Sequence, residues 1–219
     1  MKLIKAYIFQ HFETLFTLFF ATVSCMFLLA IRLKITQSFF LIFLVWNLFL
    51  AAIPYFISSF LTAKKTSRFV KNGLPLLWLL FLPNAPYIIT DLIHLTHAQS
   101  YNKFFDAILI GFFALSGLLF YCVSLQQILA MFQQNWKPWK LVFLKWSIPF
   151  LCAFGIYLGR FLRWNSWDIL QNPMGLLKDI ITPFISPFEH PVAWLTTLSF
   201  GFGLYAVFFV FRKFQKQKT

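Results

Sequence analysis

Residues 82–95 read LPNAPYIITDLIHL and lie inside an apolar run that begins at Leu74. The stretch holds two prolines, an asparagine, an aspartate and a histidine. Such residues are costly in hydrocarbon, so each needs a packing reason or a functional one. Whether the run crosses a membrane, dips into it or belongs to a soluble core decides the fold.

Composition removes the soluble alternative. Of 219 residues, 60% are hydrophobic and 11% charged, with mean hydropathy +0.74, too few charges to cover a soluble surface. Windows of about twenty apolar residues match the hydrocarbon thickness. Six occur, near residues 12–31, 39–61, 74–95, 104–125, 141–162 and 192–211. No polar segment between them is long enough for a separate folded unit. The expected architecture is all-α: one integral membrane domain over residues 1–219, a polytopic transmembrane helix bundle of about six spans. The first span follows Lys2 and Lys5 but runs on to Ile31 and Arg32 without a small-x-small cleavage site, so it reads as an anchor rather than a signal peptide.

The net charge of +13 is spread over span ends, which points to a membrane surface and away from nucleic acid. With the N-terminus inside, thirteen basic residues fall on the cytoplasmic side, including Lys2, Lys5, Lys64, Lys65, Arg68, Lys71 and the C-terminal lysines. Six fall outside: Arg32, Lys34, Lys103, Arg160, Arg163 and Lys178. A third segment that returned to its own side would change this split to ten against nine. The stronger bias favours a full crossing, with both termini cytoplasmic.

Small and weakly polar residues at three- and four-residue spacing mark packing seams. They are Thr14, Thr17, Ala21 and Ser24 in the first span, Gly117, Tyr121 and Ser124 in the fourth, and Thr197, Gly201 and Tyr205 in the sixth. Gly155 and Gly159 give the fifth a GxxxG seam, which Arg163 extends. Asn47 reads as a mid-membrane residue seeking an interhelical hydrogen bond, and Pro54 as a bend. Cys25, Cys122 and Cys152 have no metal or redox spacing and act as small apolar residues. Most of the 32 phenylalanines face lipid.

The longest connection, residues 164–190, opens with Trp164 and Trp167, residue types suited to the membrane–water interface. Ser166 is placed to cap a short helix with Asp168 in its first turn, and Asn172 followed by Pro173 to start another. Met174, Leu177, Ile180 and Ile181 share one face. Pro183, Pro187 and Pro191 exclude a single helix. These are interfacial helix pieces on the outer surface, positioned as a cover over the bundle. Trp164, Asn165, Trp167 and Asp168 are the outer-loop site candidates.

Along the third span Asn84, Tyr87, Asp91 and His94 follow a 3-4-3 spacing, one helical face. At about 1.5 Å per residue from Leu74, Asn84 is near mid-membrane and Asp91 and His94 near the outer interface. Pro83 and Pro86 deprive the Leu79 and Leu82 carbonyls of helical donors, so a kink is expected there, with the Asn84 side chain supplying a local donor. Arg160 and Arg163 end at the depth of Asp91, so one of them is its expected ion-pair partner. Asp106 competes for the other. His94, His97 and His190 with Asp91 and Glu189 lack any metal signature, so no metal or other cofactor is expected.

The segments LPNAPYIITDLIHL (82–95) and YLGRFLRWNSWDIL (157–170) resemble the signature segments of an uncharacterised bacterial membrane-protein family, domain of unknown function 1361. The resemblance covers most of the chain. It implies a compact multi-span plasma-membrane protein and supplies no activity, so the functional expectation rests on the residues. It is an outward-facing polar site for a lipid headgroup, an envelope precursor or another anionic group, built from Asn84, Tyr87, Asp91, His94, Arg160 and Arg163. The alternatives are a transporter or its subunit, a membrane enzyme on a lipid-linked substrate with His94 or Asp91 as base, and a scaffold whose charges only hold helices together. No catalytic signature supports an enzyme. The bilayer is the expected partner, and protein partners are not specified by the sequence.

Overall fold

A computed structural model describes residues 12–63, 68–96 and 103–218. Lys2, Lys5, Lys64, Lys65 and His97 lie outside these residues. The described chain is all-helical, and six helical segments are long and apolar enough to cross a membrane. In hydrocarbon every backbone N–H and C=O has to be satisfied within the segment, which is why apolar runs of this length become helices.

Helix α1 spans Phe12–Thr36 and α2 spans Phe43–Ala63. The third crossing is composite. Helix α3 (Arg68–Phe81) ends in a turn at Leu82 and Pro83, followed by one helical turn, α4 (Asn84–Tyr87), and a 3-10 segment, Ile88–Thr96. Helix α5 covers Lys103–Gln133 and α6 covers Pro138–Phe161. The long connection contains α7 (Asp168–Gln171), α8 (Pro173–Ile185) and a short 3-10 turn at Pro187–Glu189, before α9 (Pro191–Lys218).

Helix α5 is the axis of the bundle. Two-thirds of its most apolar window (67%) is buried, against 17 to 39% for the other five crossings. It packs against α1, α2, α4, the long 3-10 segment and α6, while α9 packs mainly on α6. Around it Leu44, Leu82, Ile88, Phe113, Leu125 and Ile156 are sealed from solvent. Phenylalanines 12, 16, 19, 20, 27, 49, 143 and 202 are exposed on the outside, where the hydrocarbon lies.

The expected seams hold in α5 and α9. Gly117, Tyr121 and Ser124 are buried, as are Thr197 and Gly201, and Tyr205 stacks on Trp146 at 4.0 Å between ring centres. The first seam is different. Helix α1 buries Leu18, Cys25, Leu29 and Arg32, while Thr17 is exposed and returns its hydroxyl to the Glu13 carbonyl. Such back-bonding satisfies a threonine facing lipid, so its polarity carries no packing information. Cys25 Sγ lies 3.2 Å from Ser116 Oγ, which ties α1 to α5.

Candidate functional site

At the break in the third crossing, side chains stand in for some of the lost backbone donors. Pro83 and Pro86 carry no amide hydrogen. The amide of Leu82 still donates to Trp78 O (2.9 Å), and the Ala85 amide reaches only Leu82 O (3.1 Å). That leaves the Leu80 and Phe81 carbonyls without their helical donors. Asn84 Nδ2 donates to Phe81 O at 2.9 Å, as expected of it. The hydroxyl of Ser166, far along the chain, donates to Leu80 O at 3.1 Å and accepts from Asn84 Nδ2 at 3.0 Å. Ser166 therefore does not cap α7. Asp168 organises that turn instead, accepting from the Asn165 amide (2.7 Å) and Asn165 Nδ2 (3.2 Å). Asn172 does cap α8, accepting from the Gly175 amide at 3.0 Å.

The broken segment is held by close approach. A side chain at Gly155 would run into Pro83, and one at Gly117 into the Ala85 carbonyl. A Cβ at Gly159 would stand 3.4 Å from the Tyr87 ring. The GxxxG seam of α6 thus meets Pro83 and Tyr87 at matching four-residue spacing, which lets backbones approach in lipid.

The expected single polar face is partly realised. Asn84 and Tyr87 line one cavity, described below. Beyond Ile88 the chain is 3-10, where residues three apart eclipse, so Asp91 and His94 share a face of their own. Asp91 is buried at 1% exposure. Asn47 Nδ2 donates to its Oδ2 at 2.7 Å and Arg160 Nη1 to its Oδ1 at 3.3 Å. Arg160 also donates to the Tyr87 hydroxyl (3.3 Å) and, through Nη2, to the Thr90 carbonyl (2.9 Å), with its guanidinium 5.7 Å from the Tyr87 ring centre. His94 Nε2 stands 3.9 Å from Asp91 Oδ1, and the His94 ring packs against Phe43 and Phe40.

Between the two arginines offered for Asp91, the geometry selects Arg160. Arg163 lies away from Asp91. Helix α6 ends at Phe161, Arg163 adopts a left-handed φ of 61°, and its side chain is exposed. The stripe through Gly155 and Gly159 stops because the helix stops. Asp106 takes neither arginine of that helix. It pairs with Arg32, whose Nε reaches Oδ1 at 3.1 Å and Nη2 reaches Oδ2 at 3.4 Å, while Nη1 donates to Ser38 O at 2.6 Å. Asn47 is also relocated. Because α2 begins at Phe43, Asn47 lies in its second turn, at the depth of Asp91 rather than mid-membrane.

A cavity of about 600 Å³ opens beside this cluster, between α2, α3, α4, α6 and the long connection. Small-molecule sites run from roughly 300 to 1,000 Å³. Asn47, Asn84, Tyr87, Asn165 and Ser166 form its polar lining. The apolar lining includes Trp46, Leu76, Leu77 and Leu151, each also exposed on the outside of the bundle. The cavity therefore opens sideways, on a face of exposed apolar side chains. Asp91 and Arg160 stand behind Asn47 and Tyr87 and do not line it.

The connection covers this cavity with Trp164, Ile169, Leu176 and Ile180. Trp164 Nε1 donates to Asp179 Oδ2 at 2.8 Å, pinning α8 over the opening, and Trp194 Nε1 donates to Pro183 O at 3.2 Å. The expected apolar face of α8 divides: Ile180 turns to the cavity with Leu176, while Met174, Leu177 and Ile181 are exposed. The helix passes through Pro183 and ends at Ile185, before Pro187. Trp167 is exposed and takes no part in the cavity lining. Among the described residues no three His, Cys, Asp or Glu side chains gather as a metal site would require.

Ser166, Asp179 and the Arg32–Asp106 pair were missed by reading periodicity. For the pair a signal existed, since both residues sit at span ends on the same side. For Ser166 none did.

A family model described as "Protein of unknown function (DUF1361)" matches residues 46–207, which include the broken crossing, the cavity and its cover. No curated protein and no solved structure matches the chain. The chain belongs to the DUF1361 family.

Proposed function

We propose that this DUF1361 member is a bacterial plasma-membrane protein that takes up the hydrocarbon chain of an amphiphile from the bilayer and holds its polar head beside Asn84 and Tyr87. The observation that carries the reading is the cavity of about 600 Å³, which is polar at one end and bounded elsewhere by apolar residues exposed to lipid. A water-soluble ligand has no use for an entrance through the hydrocarbon face. A lipid or lipid-linked molecule does, because its tail never has to leave the bilayer. The distribution of basic residues, thirteen against six, supports cytoplasmic termini and a head site towards the outer leaflet.

Asp91 and Arg160 serve this site as positioning residues. Asp91 fixes the Asn47 amide and Arg160 fixes the Tyr87 hydroxyl, so two lining groups are held by a charge pair that is itself out of reach. Purification of the full chain in mild detergent, followed by native mass spectrometry, tests the reading. The wild-type protein should retain one lipid, and Leu80→Trp, which fills the cavity from α3, should lose it while keeping its helical content. Equal retention by both would overturn the proposal.

The interruption at Leu82–Pro83 favours a second reading, a transporter built on a discontinuous helix set by Pro83 and Pro86. In it the same cavity would open alternately to both leaflets. Flux of labelled amphiphile between leaflets of reconstituted vesicles separates the two, since a one-sided site produces none.

A further inference from the structure

The atoms left free at the polar end of the cavity describe the head it is built for. Three amides line it, and in each the nitrogen is already committed to an acceptor. Asn47 Nδ2 donates to the Asp91 carboxylate, Asn84 Nδ2 to Phe81 O and Ser166 Oγ, and Asn165 Nδ2 to the Asp168 carboxylate. These partners accept only, or already donate elsewhere, so they fix which way each amide faces. Each amide keeps its carbonyl oxygen, and Asn47 and Asn165, with one acceptor apiece, each keep a second N–H as well. The Ser166 proton goes to Leu80 O. Among the described residues no charged side chain lines the cavity, and Arg160 behind it turns Nη1 to Tyr87 and Asp91 and Nη2 to the Thr90 carbonyl. The Tyr87 hydroxyl accepts from Arg160 and keeps its own proton to offer.

Nor are these carbonyls sealed away. The buried side-chain polar atoms without a partner among the described residues are Trp78 Nε1, Tyr121 OH and Gln126 Oε1, all outside this cavity. The oxygens of Asn47 and Asn84 take no hydrogen bond and yet stay accessible from the cavity their residues line.

We infer that the head bound here is uncharged and carries hydroxyl groups, as in a diacylglycerol or a sugar-bearing lipid, and is not a phosphate or carboxylate. This deepens the proposed amphiphile site and rests on it. Three carbonyl acceptors, the phenol proton and the two remaining amide N–H groups complement hydroxyls, which both donate and accept. An anion set against them would lose its own hydration with no cationic side chain among the lining residues to offset it, while the carbonyl oxygens stayed unpaired. A site built to hydrogen-bond a hydroxyl discriminates strongly against an analogue that lacks it.

The test uses the full chain in phosphatidylcholine vesicles with three probes that share one diazirine-bearing acyl chain: a diacylglycerol, its hydroxyl-methylated ether and a phosphatidic acid. Crosslinks are located by mass spectrometry. Diacylglycerol should label residues 76–80 and 151–158 about tenfold more than the ether, the worth of roughly one good hydrogen bond. It should exceed phosphatidic acid by at least as much. Labelling of the cavity by all three alike, or best by phosphatidic acid, would overturn the inference and leave the amphiphile site standing. Absence of cavity labelling by any probe would remove both.

Discussion

Two ion pairs hold the same end of this bundle, and they differ in almost every physical respect. Arg32 and Asp106 have side chains only 5% and 2% exposed. They meet in a two-pronged contact, and the remaining guanidinium nitrogen is taken by Ser38 O. Such a pair closes on itself and joins α1 and its connection to α5. In the other pair Asp91 is equally buried, but Arg160 is 17% exposed and reaches Asp91 through a single nitrogen. Of that pair's other hydrogen bonds, one goes to the Thr90 carbonyl and two to groups bordering a cavity, Asn47 and Tyr87. A charge pair that satisfies itself is a clamp. One that spends its hydrogen bonds on neighbouring cavity walls sets the shape of a site.

The largest effect is expected from Asp106→Asn. Removing one partner strands a buried guanidinium, which costs about 3–5 kcal/mol. Denaturant unfolding followed by circular dichroism should show it, and a loss below 1 kcal/mol would mean the clamp is not closed. Gly155→Leu comes next, since the added side chain meets Pro83. Overpacking of this kind costs about 1–3 kcal/mol, and the same unfolding measurement reads it. A stability equal to wild type would deny the close approach of α6 to the broken crossing. For Asp91→Asn the expectation is smaller, about 1–2 kcal/mol, because Arg160 keeps the Thr90 carbonyl and some access to water. The smallest effect is expected at Arg163. Arg163→Gly relieves a left-handed residue and should leave stability unchanged or raise it by about 1 kcal/mol. Destabilisation there would assign the charge a partner that its exposure does not suggest.

Much of this arrangement could be read from residues in a row. Six apolar windows became six crossings because lipid leaves the backbone no other option. Depth alone offers Asp91 a partner in Arg160 or Arg163, and the choice of Arg160 needs the point at which α6 ends. The seam at Gly155 followed from spacing. Other parts were hidden for particular reasons. Asn47 was placed mid-membrane because its apolar window opens at Phe39, whereas three residues of turn precede α2. Arg163 was carried on to the seam by a period that assumes a helix, and the helix ends at Phe161. Thr17 looked like a seam residue because a hydroxyl satisfied by its own helix is indistinguishable in sequence from one that bridges two. Ser166 reaches back across 86 positions to the Leu80 carbonyl at the break, and no periodicity encodes a contact between a loop side chain and a broken backbone.

The measurement that bears most directly on the contrast compares Asp106→Asn with Asp91→Asn by two readouts on the same samples, unfolding stability and lipid retained in native mass spectrometry. Asp106→Asn should lose the greater stability, while its folded fraction retains lipid as wild type does. Asp91→Asn should keep most of its stability and lose the lipid, because Asn47 and Tyr87 are no longer held. If stability and lipid retention fall together and to the same extent in both variants, the two pairs do one job, and the distinction between clamp and site is wrong.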